Sequence, residues 1–247
     1  MRNISVVIIT YNEEKNIKDC LESVKWADEI IVIDAYSQDR TVEICKGYTD
    51  KIFKRPWSGY GEQKNYGLSM VKNEWALFLD ADERISDTLI TEIANISNGE
   101  PCDGYYIPRK SFYLNRQIKH GDWNPDLKLR LVRAQNAKWD EALVHERLIL
   151  SGNIGCLRNP IYHYTYKDIK HHLKKANRYS GLFAESAFKK GKKVGMHRLF
   201  LEPPARFVSV YFFRKGFMDG FAGFVIAGVE SFEVFLRYLK LRSLIKP

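Results

Sequence analysis

The chain has 247 residues, of which 45% are hydrophobic and 28% are charged, and its formal net charge is +9. This mixture is typical of a globular protein and excludes a disordered or low-complexity chain. One large α/β domain with a C-terminal extension fits the length as well as two small domains do.

The first predicted element is a buried strand. Val6–Ile9 is a continuous apolar run, as expected for a parallel strand that is covered on both faces. Polar residues follow it directly and no small-residue cleavage site is present, so it is not read as a signal peptide. Asn12 is predicted to cap the next helix, whose apolar spacing begins at Ile17. No uncharged apolar stretch approaches the ~18 residues of a membrane span.

The following elements continue to alternate between strand and helix. Strands are predicted at Ile30–Ile33, Ile52–Phe53 and Trp75–Leu79, and helices from Thr41, over Gly61–Val71, and from Ser86 or Asp87 to about Ile96. This order predicts βαβ units and a parallel sheet. Such sheets bind ligands beyond the C-terminal ends of their strands, where Thr10–Asn12, Asp34 and Asp80–Asp82 lie.

The second half of the chain changes character. Gly104–Leu150 is aromatic and typical of β-structure, and the pattern becomes helical from Asp168. Pro203-Pro204 is predicted to separate this helix from a last aromatic and basic segment, Arg206–Lys246. We therefore expect an α/β domain over 1–165 and a helical, aromatic and basic extension over 166–247.

Asp80-Ala81-Asp82 is the central motif for chemistry. Two carboxylates one residue apart at a strand end suit one hard cation, Mg²⁺ or Mn²⁺, together with the phosphate oxygens that it holds. For a bare motif of this kind, a solvated turn is the better explanation. Its position after an apolar strand, on the third of three ligand-side loops, favours the metal.

Four motifs in register resemble family 2 glycosyltransferases. They are Val6–Glu13, Ile31–Asp34 with Ser37 and Asp39, Gln63-Lys64-Asn65, and Asp80-Ala81-Asp82. The resemblance implies a GT-A fold, with a mostly parallel, Rossmann-like sheet flanked by helices. It also implies an inverting transferase that uses a UDP-sugar, with glucose as the expected sugar, and a divalent metal.

The same resemblance implies the site residues. The nucleotide-sugar contacts are Thr10, Tyr11, Asn12, Glu13, Asp34, Lys64, Asn65, Asp80 and Ala81, and the metal ligands are Asp80, Asp82 and His163. The first loop and Asp34 would hold uracil or ribose, and Lys64 and Asn65 would lie near the diphosphate. Many relatives have arginine at the Lys64 position, and lysine keeps the charge but loses the bidentate fork. An exposed helix residue is the alternative for Lys64.

The later motifs resemble a narrower group, the bacterial lipopolysaccharide core glucosyltransferases. They are Trp123–Asp126, Leu129–Arg133, Trp139–Glu141, Val144–Glu146, His163–Tyr166 and Gly216–Gly220. The resemblance implies a saccharide acceptor of the cell envelope, including a lipid-linked one. Trp123, Arg130 and Trp139 are the candidate contacts to acceptor or sugar, and a core position is the alternative for both tryptophans.

An inverting transferase needs a base to deprotonate the acceptor hydroxyl. His145-Glu146 occupies the place where, by the resemblance, an acidic pair that contains the base is expected, so Glu146 is the candidate base, with Glu141 and Asp140 in reserve. The alternative is a structural ion pair between Glu146 and Arg147 or Arg130.

The C-terminal segment combines aromatic with basic residues. Basic residues also become frequent from Lys167 onward, and such a segment suits the surface of an anionic membrane. Packing on its own domain or on a second subunit of a homo-oligomer is the alternative. The four cysteines form no CxxC pair, which favours a reduced cytoplasmic compartment. We expect a peripheral protein at the inner face of the cell membrane.

Three other functions remain open from the residues alone. A sugar nucleotidyltransferase usually has a glycine-rich loop near its first strand, and Thr10–Glu13 contains no glycine. A nucleic-acid-binding protein would explain the charge of +9 but would leave Asp34, Asp80 and Asp82 without a purpose. A non-catalytic sugar-binding module would bind nucleotide sugars without turnover. We expect no nucleic acid partner.

Overall fold

The computed structural model describes residues 3–96, 102–140, 146–166 and 168–245. The chain divides into two compact units. Unit 1 comprises Met1–Arg109 and Asp126–His163, and unit 2 comprises Lys110–Pro125 and Tyr164–Pro247. The functional division at residue 165 stays a prediction.

The described residues form strands and helices in the following order. The strands are β1 (Ile4–Thr10), β2 (Glu29–Asp34), β3 (Ile52–Lys54), β4 (Trp75–Asp80), β5 (Glu83–Ile85), β6 (Gly104–Tyr113), β7 (Arg116–Gln117), β8 (Leu127–Arg133), β9 (Ala137–Trp139), β10 (Leu148–Leu150), β11 (Ile154–Cys156) and β12 (Ile161–Tyr166). The helices are α1 (Ile17–Glu22), α2 (Thr41–Cys45), α3 (Tyr60–Ser69), α4 (Asp87–Ala94), α5 (Ile169–Lys189), α6 (Met196–Val208) and α7 (Gly220–Ile245).

Unit 1 is organised around a mixed sheet. Strands β3, β2, β1 and β4 lie side by side in that order and pair in parallel. Strand β8 then pairs antiparallel with β4, and β6 pairs antiparallel with β8. The predicted α/β class is confirmed, and parallel pairing is concentrated in the first half of the unit, where the strand–helix alternation was predicted.

Both faces of this sheet are covered, which explains the continuous apolar runs. Val6 and Ile8 belong to a core with α1 and α4 on one face, and Val7 and Ile9 belong to a second core on the other face. On that second face, a Cβ atom on Gly67 of α3 would lie 2.4 Å from Val7 Cγ1. Helix α3 can therefore approach β1 this closely because residue 67 has no side chain.

The helix starts were predicted with unequal success. Helix α2 begins at Thr41 as predicted, and Ser86 caps α4, since its Oγ accepts from Leu89 N at 3.2 Å. The predicted cap at Asn12 is wrong, because α1 begins at Ile17. Asn12 has a φ of 54°, a left-handed conformation that asparagine tolerates better than most residues.

Unit 2 is mainly helical. Helix α5 begins at Ile169, one residue after the predicted start of the helical pattern at Asp168. Asp168 caps the helix, with its Oδ1 accepting from His171 N at 2.6 Å. The prediction that Pro203-Pro204 ends a helical segment is wrong, because both prolines lie inside α6. Two prolines remove backbone donors from that helix, but Pro203 is buried and its carbonyl accepts from Ser231 Oγ at 2.7 Å. Packing on α7 therefore holds the helix together.

Helix α7 is the longest helix among the described residues. Within those ranges, no helix combines the length and the apolarity needed to cross a membrane.

His172 is a buried titratable group in unit 2. Its ring stacks on Tyr166 at a centroid distance of 4.1 Å, and its Nδ1 shares a hydrogen bond of 3.1 Å with the Tyr113 hydroxyl. Burial, with help from the charges of Lys175 and His171, lowers the pKa of His172 from 6.5 to about 4. The folded protein therefore keeps this ring neutral at a pH where the unfolded chain would protonate it.

This shift makes the free energy of unfolding depend on pH. The unfolded chain binds more protons between pH 4 and pH 6.5, so stability should fall as the pH is lowered through this window. The loss for the full shift is about 3 kcal/mol. Denaturant unfolding at both ends of the window should show a smaller difference for His172→Gln than for wild type. The exposed His197 provides the control, because His197→Gln should keep the wild-type difference.

Candidate functional site

The three predicted loops lie at one edge of the sheet in unit 1. The strand register pairs Thr10 with Asp34 and Ile9 with Asp80, so the C-terminal ends of β1, β2 and β4 are adjacent. Carboxylates at the ends of the two strands that flank β1 therefore lie at one edge of the sheet, as the sequence predicts. This edge is the candidate site.

Asp34 and Thr10 carry buried oxygens that lack a hydrogen-bond donor. Asp34 is completely buried, and its Oδ2 accepts from Ser37 N at 3.0 Å. Asp34 Oδ1 and Thr10 Oγ1 have no hydrogen-bond partner among the described residues. A buried acceptor without a donor costs about 1–3 kcal/mol, so both atoms fit a ligand that brings N–H or O–H groups.

The first loop is fixed by contacts with the loop after β2. Asn12 N donates to Ser37 Oγ at 2.9 Å, and Asn12 Oδ1 accepts from Gln38 N at 2.8 Å. Glu13 N donates to Thr41 Oγ1 at 2.8 Å. The left-handed conformation of Asn12 thus serves to join two loops. The fixed loop leaves the Tyr11 side chain half exposed at the site.

Lys64 is a buried cation shared by two carboxylates. Its Nζ lies 2.8 Å from Glu146 Oε1 and 3.2 Å from Asp80 Oδ1, and the side chain is 3% exposed. The Nζ also lies 4.4 Å from the centre of the Trp139 ring. The alternative of an exposed helix residue is therefore wrong. In this structure Glu146 pairs with Lys64, whereas the sequence alternative named Arg147 or Arg130.

Asp80 lies between two cations. Arg130 Nη2 donates to Asp80 Oδ2 at 2.8 Å, on the opposite oxygen from Lys64. Burial acts to raise the pKa of Asp80, but Lys64 and Arg130 hold it well below its ordinary value. Asp80 is therefore ionised, and both of its oxygens face cations of the protein. Ala81, the next residue, is buried.

Glu83 is a central residue that the sequence analysis missed. It is completely buried on β5, where its Oε1 accepts from Arg130 Nη2 and Arg109 Nη1, each at 2.9 Å. Its Oε2 accepts from the backbone N–H of Asp80 at 3.0 Å. Asp126 holds Arg109 from the other side at 2.7 Å. The available signal was the acidic residue that directly follows Asp80-Ala81-Asp82.

Arg130 keeps part of its guanidinium free. Its side chain is 4% exposed, and its Nε and Nη1 have no hydrogen-bond partner among the described residues. Burial acts to lower the pKa of Arg130, but Glu83 and Asp80 raise it above its ordinary value. Arg130 is therefore a permanent buried cation with donors to spare, a combination that fits an anionic ligand.

Asp82 and His163 form a second group of candidate ligands. Antiparallel pairing of β5 with β12 sets His163 opposite Glu83, and His163 Nε2 lies 3.5 Å from Asp82 Oδ2. One carboxylate and one imidazole are chemically suitable donors for Mn²⁺ or Mg²⁺ that takes its other ligands from phosphate and water. Among the described residues, no three His, Cys, Asp or Glu side chains form a metal-binding group.

The acidic residues that are candidates for the base have different surroundings. Asp140 Oδ1 accepts a hydrogen bond from Arg147 N at 3.0 Å. Glu146 has a side chain that is 15% exposed and lies on Lys64. Glu141 and His145 lie outside the described residues.

The aromatic candidates and Asn65 have protein neighbours. Trp139 is buried against Phe78 at a ring distance of 5.2 Å, and Asn65 bonds the Trp139 backbone in both directions, at 2.8 and 2.9 Å. Trp123, in unit 2, packs in a core with Tyr113 and donates to Glu230 at 3.0 Å. Both tryptophans are in core environments, and a sugar contact for either stays a prediction.

Comparison with known proteins gives a consistent family. A model described as Glycosyl transferase family 2 matches residues 5–158. An uncharacterized glycosyltransferase of Rickettsia prowazekii is 36% identical over 99% of this chain and 88% of the relative. The lipopolysaccharide core biosynthesis glycosyltransferase LpsC of Rhizobium meliloti is 27% identical over 96% of this chain and 91% of the relative.

Solved structures share the fold at low sequence identity. S. aureus TarS 1-349 in complex with UDP has a TM-score of 0.51 and 17% identity, and the match covers 97% of this chain and 92% of that one. The complex of the same protein with UDP-GlcNAc gives a TM-score of 0.50. The predicted GT-A architecture is confirmed by this likeness.

Proposed function

This chain belongs to glycosyltransferase family 2, and we propose that it is an inverting enzyme that transfers a sugar from a UDP-sugar to a saccharide acceptor. The observation that carries the proposal is the charged edge of the sheet in unit 1. There Asp80 lies between Lys64 and Arg130, and the strand on the other side of β1 ends in the buried Asp34. Such an edge can hold a nucleoside through Asp34 and a diphosphate through the cations.

The proposed nucleoside contacts follow from the two buried oxygens that lack a hydrogen-bond donor. Asp34 Oδ1 and Thr10 Oγ1 would accept hydrogen bonds from the uracil N–H or the ribose hydroxyls. Tyr11, Asn12 and Glu13 form the loop beside them. UDP is also the nucleotide in the TarS complex, which has the same fold.

A divalent metal, Mg²⁺ or Mn²⁺, fits Asp82 together with His163. When bound, it would neutralise charge on the diphosphate leaving group. Asp80 is a less suitable ligand, because Arg130 and Lys64 already face its two oxygens. Arg130 would act on the same leaving group through its free Nε and Nη1 donors.

The base is proposed to be Glu146. Its carboxylate would accept the proton of the acceptor hydroxyl as that oxygen attacks the anomeric carbon. Lys64 Nζ lies 2.8 Å from Glu146 Oε1 and forms an ion pair with it. The same lysine would shift toward the diphosphate when the donor binds, which frees the carboxylate for the proton.

The acceptor is proposed to be a lipopolysaccharide core or another cell-envelope saccharide, in agreement with the printed function of LpsC. Glucose as the transferred sugar and a peripheral position at the cytoplasmic face of the cell membrane stay predictions. A sugar nucleotidyltransferase and a nucleic-acid-binding protein are not favoured, because the family model covers residues 5–158 and so includes the whole charged edge.

Donor hydrolysis tests this proposal without an identified acceptor. The purified chain is incubated with a panel of nucleotide sugars and Mn²⁺ or Mg²⁺, and the released nucleotide is measured. We expect UDP release above all, with UDP-glucose as the best donor. Absence of turnover and of UDP binding under both metals would argue against the proposal.

Lys64 should matter for both donor binding and stability. Lys64→Met leaves Asp80 and Glu146 without their shared cation, so donor kcat/KM should fall about 10²-fold and the free energy of unfolding by about 1–3 kcal/mol. Lys64→Arg retains the charge and should restore most of both. Steady-state hydrolysis and denaturant unfolding measure these effects. Full activity in Lys64→Met would show that the lysine has no role in turnover of the nucleotide sugar.

A further inference from the structure

The reversal between α6 and α7 in unit 2 displays large apolar side chains. Helix α6 is followed by a π-helical turn, Ser209–Phe213, and a 3-10 turn, Gly216–Asp219. The side chains that are about half exposed or more, here named the aromatic tip, are Phe212, Phe213, Phe217, Met218, Phe221 and Phe224. Phe213 is 80% exposed and Phe221 is 67% exposed, which is unusual for phenylalanine.

Three phenylalanines of the aromatic tip are joined through the Tyr211 ring. The Tyr211 ring lies 5.1 Å from Phe212, 6.3 Å from Phe217 and 5.9 Å from Phe224, measured between ring centres. Single exposed apolar residues are normal on a protein surface, but a contiguous patch marks an interaction site.

The backbone beneath the tip is tightly packed. A Cβ atom on Gly223 would lie 1.9 Å from the Gly216 carbonyl oxygen, and one on Gly216 would lie 2.7 Å from the Val210 carbonyl oxygen. Lys215 completes the reversal with a φ of 58°. The aromatic side chains are thus held outward by a reversal that leaves no space for larger residues.

The charge around the tip is positive. From Pro203 to Val229 the sequence contains one carboxylate, Asp219. That side chain is buried, and it accepts from Lys119 N at 3.1 Å and His120 N at 2.8 Å. The exposed cations of the same region are Arg214, which pairs with Asp122, and Lys215. Two further exposed cations contact it from the β6–β7 side of unit 2: Arg116, whose Nη2 donates to Met218 O at 3.4 Å, and Lys119, whose N–H donates to Asp219.

We propose that the aromatic tip inserts into the interface of an anionic lipid bilayer, where Arg116, Lys119 and Lys215 bind lipid phosphates. Aromatic side chains favour the boundary between headgroups and acyl chains, and nearby cations add attraction to anionic lipid. A second copy of the chain fits less well, because a two-fold contact would bring the same cations together. The proposal uses residues of unit 2 and does not depend on the proposed transfer reaction.

Vesicle flotation of the full chain tests the proposal. The protein is mixed with phosphatidylcholine vesicles, with or without phosphatidylglycerol, at low and high salt. We expect binding that favours phosphatidylglycerol and weakens with salt. The double variant Phe212→Ser, Phe213→Ser should lose more than about tenfold in vesicle partitioning. The double variant Lys119→Gln, Lys215→Asn should lose its preference for anionic vesicles; asparagine suits the left-handed position 215.

Phe188→Ser is the matched control, since Phe188 is about half exposed and lies beside Lys189 and Lys190. It should keep wild-type binding. Circular dichroism should show all variants folded, and UDP binding should be unchanged in the Phe212→Ser, Phe213→Ser variant. The proposal is overturned if the wild-type protein does not bind anionic vesicles. It is also overturned if Phe188→Ser weakens binding equally, or if the tip variant merely converts a dimer to a monomer in sedimentation.

Discussion

Asp82→Asn is expected to abolish turnover of the nucleotide sugar while leaving the fold intact. Asparagine retains the size and one oxygen of Asp82 but removes the charge that a divalent cation requires. The loss of donor hydrolysis should be at least about 10³-fold. His163 Nε2, 3.5 Å from Asp82 Oδ2, would keep a hydrogen-bonding neighbour, so stability should change little.

The metal role of Asp82 is separated from a structural one by two measurements. Calorimetry should show that Mn²⁺ strengthens UDP binding to wild type but not to Asp82→Asn. Chelator should reduce wild-type hydrolysis to the level of the variant. Asp87→Asn, in the exposed first turn of α4, is the matched control and should behave as wild type. Undiminished hydrolysis in chelator would exclude the metal.

Glu146→Gln should remove sugar transfer and keep donor binding. The amide cannot take the acceptor proton, so transfer should fall about 10²–10⁴-fold. Lys64 would lose one of its two carboxylates and would be more available to the diphosphate, since its contact of 2.8 Å with Glu146 becomes a neutral one. UDP binding should therefore be retained or strengthened, which a simple loss of structure would not produce.

Transfer is measured with labelled UDP-sugar and a saccharide extract of bacterial envelopes as acceptor, and UDP binding is measured by calorimetry. Glu62→Gln, on the exposed side of α3, is the control for removing a carboxylate. If Glu146→Gln transfers sugar normally, Asp140→Asn and Glu141→Gln become the next tests. Loss of UDP binding in Glu146→Gln would instead point to a positioning role for the glutamate.

The elements that the sequence predicted well are those with local signals. β1 and β4 are continuous apolar runs because both faces of their sheet are covered, and Thr41 and Ser86 mark helix starts directly. The prediction of a helix cap at Asn12 was wrong, because the same short polar side chain that caps helices also tolerates the left-handed conformation. At Pro203, contact with α7 outweighed a local helix-breaking signal.

The sequence predicted which residues lie at the site, but it did not predict which of them contact one another. Which loops meet follows from parallel pairing, so Asp34 and Asp80 were correctly expected at one edge. The pair between Lys64 and Glu146 joins residues that are 82 positions apart, and the periodicity of a sequence does not show which distant residues meet. Glu83 was missed because a carboxylate on a three-residue strand resembles an exposed turn in sequence.

Glu83 also determines at which stage the Arg130 side chain loses its conformational entropy. A free arginine side chain loses up to about 2 kcal/mol of conformational freedom when it is immobilised. Glu83 and Asp80 fix Arg130 already in the folded chain, with Nε and Nη1 left available. That entropy is therefore lost during folding, so a bound diphosphate would meet preorganised donors and retain more of its interaction energy as affinity.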